Sequence, residues 1–392
     1  TLFDHSFEEQ PPCLSFAAAA RGVIARQAFS VGFGKSSPFY FSDSPLIRGY
    51  TVLVSGGNLF ETLLLNLIRY DDENPIPRHG KRADAPAWEQ DEPSTPRRNG
   101  SVPFGYLDYL TWQSRRIHLF EESDGAGVRW CQLQQNLKLS AEAAAVDPFK
   151  CYRRDEKRGW VPLAFREEHA LWRDSHTLIQ GLAASESRPA ILGWLAVVTA
   201  SANQASVPRV PDLAAFGLAT AIGKAASVTL WRHERMPLPL AYLCDEALVE
   251  KLSHAIAYAE QTGRDLGATT WTLARALLEP PVEGAAGHES RARKEKEDVE
   301  PLARSFGVER RYWPALETPF FEFTKELAGA APESRDDQLA RWCELVRNNA
   351  RQAFGAATRG LDLTGRQLRA VAIAERVLLR RLRAGTQNGE KS

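Results

Sequence analysis

The apolar positions of SFAAAARGVIARQAF (15–29) recur at helical spacing through Val23, Ile24 and Ala28, and predict a helix. IRGYTVLV (47–54) is rich in β-branched and aromatic residues and predicts a strand, ended by Gly56 and Gly57. NLFETLLLNLIRY (58–70) follows as a helix, with Asn58 as N-cap and Glu61 three residues on. RRIHLFE (115–121) and VRWCQLQQNLKLS (128–140) predict a strand pair joined through SDGAG. KCYRRDEKRGWVPLAF (150–165) predicts a second hairpin, turning near Asp155–Gly159, and a helix is expected over 187–199, starting at Ser187 with Pro189 in its first turn. From about Cys244 the strands stop and the helical period takes over, with helices predicted at about 244–279, 299–328, 334–356 and 362–384. The fold class expected is therefore α+β. A mixed α/β N-terminal domain, 1–240, precedes a C-terminal four-helix bundle, 241–392.

Two stretches break the pattern. Residues 71–103 are polar and carry Pro75, Pro77, Pro86, Pro93, Pro96 and Pro103, so they read as a long loop that Trp88 is expected to pin to the body. Residues 283–300, EGAAGHESRARKEKEDVE, read as a solvated, mobile link. The last predicted helix places Leu368, Val371, Leu378, Leu379 and Leu382 on one arc, with Glu375 as a misfit inside it. Arg366, Arg369, Arg376, Arg380 and Arg383 fall on the adjoining arc. That stripe is either a contact for a phosphate backbone or the ordinary solvated face of an amphipathic helix.

Composition narrows the function classes. Lys plus Arg and Asp plus Glu both total 49, so the net charge is zero. A free-standing nucleic-acid binder is usually basic, so any such role here rests on local patches or on partner subunits. The five cysteines (Cys13, Cys131, Cys151, Cys244 and Cys343) are scattered without a CxxC pair. They signal no zinc site and suit a reducing cytoplasm. No metal or cofactor is expected. The sequence shows neither a run long enough to span a membrane nor a signal peptide. It opens Thr-Leu-Phe-Asp without a Met, which suggests that its natural beginning is missing. No HExxH or GxSxG pattern is present, and Asp174, Ser175 and His176 stand too close together in sequence for a triad.

VGFGKSSP (31–38) contains Gly-x-Gly-Lys-Ser-Ser. A P-loop needs a further glycine, separated from the Gly-Lys pair by four residues, and that position is Phe29. The stretch also follows a helix rather than a strand, and Pro38 biases Ser37 away from opening a new helix. A phosphate cradle is excluded. A turn that approaches a nucleic-acid backbone closely, or a plain flexible turn, remains.

Three stretches together resemble one family. They are TLFDHSFEEQPPCLSFAAAARGVIARQAFSVGFGK (1–35), VSGGNLFETLLLNLI (54–68) with GYLDYLTWQSRRIHL (105–119), and IGKAASVTLWRHERMPLPLAYL (222–243) leading into an all-helical end. Their order is similar to that of the large subunit (CasA) of the type I-E CRISPR effector complex, Cascade. The resemblance runs from residue 1 to about 384. It implies a non-catalytic cytoplasmic subunit with an α/β N-terminal domain that normally extends further upstream, and a C-terminal four-helix bundle. It further implies recognition of the protospacer-adjacent motif (PAM) in double-stranded target DNA, help in opening the duplex, and recruitment of a helicase–nuclease. The implied partners are crRNA, target DNA, and the backbone, small and 5′-handle-binding Cascade subunits, with no membrane. Such a division of labour leaves the PAM to protein and the rest to base pairing.

The resemblance carries over residue by residue. Gly32 and Gly34 match the family's glycine-rich PAM loop, and Lys35 stands where another glycine is usual, able to reach a phosphate or a minor-groove acceptor. Lys138 is the candidate minor-groove lysine. The family's glutamine wedge aligns with Lys224, Ala225 and Ala226, where alanine replaces the polar wedge. Asn203-Gln204-Ala205-Ser206 looks more like a wedge in isolation but sits upstream of the matching strand. Phe3, Asp4 and His5 match a segment that meets the crRNA handle and a neighbouring subunit, and are expected to order only in the complex. Two further readings stay open at this stage: an architectural scaffold without PAM readout, and an unrecognised enzyme.

Overall fold

The computed structural model describes residues 11–32, 42–68, 84–90, 95–140, 143, 147–157, 159–166, 168–180, 186–201, 210–220, 228–278, 288–361 and 364–389. The chain divides into two compact units, Thr1–Leu243 and Cys244–Ser392. Helices and strands mix in the first, and among the described residues the second is helical throughout.

Helix α1 (Phe16–Phe29) starts where the Ser15 side chain accepts from Ala18 N–H, and buries only Ala19. Strand β1 (Tyr50–Ser55) buries alternate residues, Tyr50, Val52 and Val54. Helix α2 (Leu59–Leu65) opens on a reciprocal cap in which Asn58 Oδ1 accepts from Glu61 N–H at 2.9 Å and Asn58 Nδ2 donates to Glu61 Oε1 at 2.9 Å. It ends sooner than its apolar run predicts. The Asn66 amide donates to Val54 O and accepts from Val54 N–H, so a bond to β1 replaces another helical turn.

Of the stretch 71–103, residues 84–90 and 95–103 are described, and Trp88, 76% exposed, does not pin it. Instead, Asp84 accepts from the Leu107 and Asp108 N–H groups at the start of α3 (Tyr106–Leu110), and Ala87 N–H donates to Thr111 Oγ1. A carboxylate at a helix N-terminus satisfies donors that nothing else reaches, and an exposed indole supplies no equivalent.

Strands β2 (Arg115–Glu121) and β3 (Val128–Gln135) pair antiparallel, from Arg115↔Gln135 to Glu121↔Val128. β4 (Tyr152–Asp155) and β5 (Gly159–Pro162) form the second predicted hairpin. Helix α4 (Ser175–Gln180) and strand β6 (Glu186–Ser187) follow, and β6 pairs with β4. Ser187 is thus extended and pairs with Tyr152, and helix α5 (Ala190–Ser201) begins after Pro189, not before it. Proline biases the residue ahead of it away from helix, which moves the start.

Strands β7 (Asp212–Thr220) and β8 (Val228–Pro237) complete a sheet of order β1-β7-β8. The central strand is DLAAFGLAT, whose small residues carry no clear alternation. Its Gly217 is required by close approach, since a Cβ there would lie 2.9 Å from Tyr50 Cα. The core of this unit gathers Val52, Val54, Trp172, Leu178, Ile191, Leu192, Leu195, Leu213 and Ala215.

The second unit holds α6 (Glu246–Leu278), α7 (His288–Ser305), α8 (Val308–Gly329), α9 (Arg335–Thr358) and α10 (Gly365–Gly389). The four other helices all pack on α6. The helix predicted over 299–328 is two, broken at Gly307, which has φ +59°. Glycine takes this left-handed conformation at little cost, so a single residue ends one helix and admits the next. The segment read as a link over 283–300 is helical from His288. Its Arg, Ala, Lys and Glu residues are good helix formers, so a charged composition did not mean a loop. On α10 the buried seam is Ala370, Ala374, Leu378 and Leu382. Leu368 is 49% exposed, and Glu375 lies on the exposed surface rather than among buried apolar groups. Alanines supply half the seam because the backbones approach closely, and a wheel weighted to large apolar residues rotates the face towards Leu368.

Candidate nucleic-acid interface

Of the glycine-loop residues, Gly32 is described, whereas Gly34 and Lys35 lie outside the described residues. The chain flanking 33–41 is held closely. Gly32 N–H donates to Asp43 Oδ1 at 2.7 Å, Ser44 N–H donates to Ser30 O at 2.8 Å, and Leu46 N–H donates to Ala28 O at 3.0 Å. Beneath these bonds sits Arg115, 1% exposed, whose guanidinium donates to backbone carbonyls on both flanks. Burial pulls its pKa down from the usual arginine range, while Asp43 opposes the shift.

Lys138 is exposed and follows β3 by three residues. Its carbonyl accepts from Ser101 N–H at 2.8 Å, and Leu137 N–H donates to Gln113 O at 3.1 Å. Gly100, with φ +84°, permits that approach, since a Cβ would stand 2.8 Å from Lys138 O. Arg115 pairs with Gln135 in the ladder, so the base of the glycine loop and the backbone of Lys138 are both mounted at the foot of β2–β3.

Lys224, Ala225 and Ala226 lie outside the described residues, as do Asn203–Ser206. Residues 221–227 connect β7 to β8, whose facing ends are Thr220 and Val228. Just beyond them Trp231 is 67% exposed, and His233 stacks on Phe216 at 4.3 Å. Phe3, Asp4 and His5 also lie outside the described residues.

In the second unit Arg366, Arg369, Arg376, Arg380 and Arg383 are all exposed along α10. Arg366 donates to Leu277 O at the C-terminal end of α6, a favourable place for a cation. Arg381, outside the predicted stripe, is the one that pairs with Asp265 of α6, at 2.8 Å.

The Asp-Ser-His run forms no triad. Asp174 faces His169 at 2.9 Å rather than His176, and the Ser175 hydroxyl donates to Trp172 O at 2.7 Å. Among the described residues no cluster of His, Cys, Asp and Glu could hold a metal ion, and no helix is long and apolar enough to cross a membrane. The sequence reading missed Arg115 and Asp43. Their only signal was an arginine at the inward end of a strand pattern, which periodicity alone does not mark as special.

The sequence profile of the family described as "CRISPR-associated protein Cse1" matches residues 1–353. A curated relative from Thermus thermophilus, "CRISPR-associated protein CasA/Cse1", is 30% identical over 96% of this chain and 70% of its own length. The crystal structure of Thermus thermophilus CasA superposes with a TM-score of 0.74 at 28% identity, over 95% of this chain and 73% of that one. A Cse1 from Acidimicrobium ferrooxidans shares the fold, with a TM-score of 0.73 at 24% identity, over 98% and 75% of the two chains.

Proposed function

The chain belongs to the CRISPR-associated Cse1 family, and from that premise we propose that it is a non-catalytic, DNA-reading subunit of an RNA-guided surveillance complex of the Cascade type. A structure described as "CRISPR RNA-guided surveillance complex" contains a chain of this fold, with a TM-score of 0.67 at 18% identity over 94% of this chain and 69% of that one. In this reading the chain works in the cytoplasm beside crRNA and the other Cascade subunits. It meets the PAM duplex through Gly32, Gly34, Lys35 and Lys138, begins strand separation near 224–226, and recruits the helicase–nuclease. We read 1–240 as its α/β domain and 241–392 as its bundle, with α6, α8, α9 and α10 as the four principal helices and α7 added.

The observation that carries the reading is the base of the glycine loop. The two chain segments that flank residues 33–41 are bonded to each other, and the exposed Lys138 stands three residues past the end of the same strand pair. Flanks held in this way lose little further freedom when the residues between them bind. Zero net charge is consistent with partner subunits sharing the electrostatic work.

The test is duplex binding by the crRNA-loaded complex, with and without this chain, across a library of flanking trinucleotides. Chain-dependent preference supports PAM reading. Chain-dependent binding with flat preference reduces the role to a backbone clamp. Binding that ignores the chain overturns the reading and favours an architectural scaffold, for which Ala225 and Ala226 in place of a polar wedge are the specific argument. Charge reversal of Lys35 and Lys224 together is expected to weaken DNA binding without disturbing assembly.

A further inference from the structure

The turn Arg97–Gly100 is fastened to the segment that carries Lys138. Its closing bond runs from Gly100 N–H to Arg97 O at 3.0 Å. Directly after it, Ser101 N–H donates to Lys138 O at 2.8 Å and Ser101 O accepts from Ser140 N–H at 3.0 Å, a parallel bridge between Ser101 and Leu139. A Cβ on Gly100 would stand 2.7 Å from Ser140 N, so the two backbones touch. Val102 and Leu139 anchor both chains on the buried pair Tyr109 and Ala143. Arg97, Arg98 and Asn99 are exposed, as is Lys138.

Three cations therefore emerge from one small patch of chain. Among the described residues no carboxylate and no side-chain hydrogen bond engages Arg97, Arg98 or Lys138. Elsewhere in the same unit Arg48, Arg129, Arg166 and Arg232 each face a carboxylate. Like charges mounted on touching backbones repel, since screening at physiological salt acts only over about 8 Å. On a chain of zero net charge such a cluster is a local positive field that a polyanion relieves. The arginine fork matches the oxygens of a phosphate. Two consecutive arginines on a fixed turn suit the phosphates of one DNA strand, which recur about every 3.4 Å along the helix axis.

We propose that Arg97 and Arg98 form, beside Lys138, a clamp on the phosphate backbone of duplex DNA, holding the strand that borders the groove. This rests on the reading that Lys138 enters the minor groove. That groove is about 6 Å wide, so a chain that abuts Lys138 falls on the phosphates at its edge. Phosphate contacts set position and carry no sequence information, so the arginines supply affinity and leave the choice of base pair to Lys138.

The test measures Kd of the crRNA-loaded complex for PAM-bearing and PAM-scrambled duplexes from about 50 to 200 mM salt, with assembly and crRNA content as controls. Arg97→Gln combined with Arg98→Gln keeps the side-chain length and removes both charges. It is expected to weaken both duplexes alike, roughly three- to tenfold, and to lower the salt slope of log Kd by about two. Arg97→Lys combined with Arg98→Lys restores the charge and should recover the slope. Lys138→Ala should instead narrow the gap between the two duplexes. An unchanged Kd and slope in the glutamine variant overturns the clamp, while a narrowed gap in Lys138→Ala leaves the groove reading standing. Lys138→Ala without effect overturns the groove reading, and the placement of the arginines beside it falls too. Loss of crRNA or of a partner subunit from the glutamine variant, in place of duplex affinity, overturns DNA as the occupant.

Discussion

Lys150 and Asp147 lie almost fully buried beneath β1, with 3% of each exposed. Asp147 accepts from Tyr109 O–H at 2.8 Å and Phe149 N–H at 2.9 Å, and Lys150 Nζ stands 3.5 Å from its carboxylate while donating to Pro45 O. Removing one member of such a pair leaves an uncompensated buried charge. Lys150→Met is expected to lower stability by about 3 kcal/mol or more. Adding Asp147→Asn, whose single amide oxygen can still accept from Phe149 N–H while its amide N–H donates to the Tyr109 hydroxyl, should recover part of that loss, as read from urea midpoints. Burial pulls the Lys150 pKa below its ordinary 10.5, with Asp147 opposing. The unfolded chain therefore holds that proton more tightly. Between the lowered value and 10.5 this group makes stability rise with pH, a contribution that Lys150→Met should abolish.

The helices owe their ends to specific bonds and their middles to packing. Asn58→Ala on α2 removes both halves of the reciprocal cap and is expected to cost about 1 kcal/mol. α2 leaves Leu59, Phe60, Leu63 and Leu64 exposed and buries Leu65. Leu65→Ala should thus cost about 2–5 kcal/mol, whereas Leu63→Ala should stay within about 0.5 kcal/mol. Gly263 shows packing overriding propensity. Alanine favours a helix interior, yet its Cβ would stand 2.6 Å from Trp313 Cζ2, where α6 meets α8. Gly263→Ala is expected to destabilise by about 1–3 kcal/mol through overpacking, and thermal unfolding checks the sign.

For the whole molecule the governing quantity is charge distribution, because the total is zero. The buried seam of α10 leaves Arg369, Arg376 and Arg380 exposed, while Arg381 is engaged within its unit. If the exposed arginines meet phosphates in the assembled complex, reversing these three to Glu should weaken binding of every duplex alike. It should also reduce the salt slope of log Kd by about three, roughly one for each phosphate no longer neutralised. An unchanged slope would assign them to the solvated face of an amphipathic helix.

The sequence by itself determined the local elements whose signals are local: the α1 start at Ser15, the Asn58 cap, both hairpins, and the helical second half. Period, caps and turn residues act within a few positions, so they are legible without the fold. Only the tertiary structure decided the rest. The central strand β7 is built of small residues that suit close neighbours and show no alternation of their own. Asn66 ends α2 by bonding to β1, and Asp84 caps a helix that starts 22 residues on. The seam of α10 turns towards alanines because α6 comes close. The base of the candidate DNA loop was likewise invisible. It depends on Arg115, at least 73 residues from each flank it joins, and a hydrogen bond between distant segments leaves no periodic trace in either.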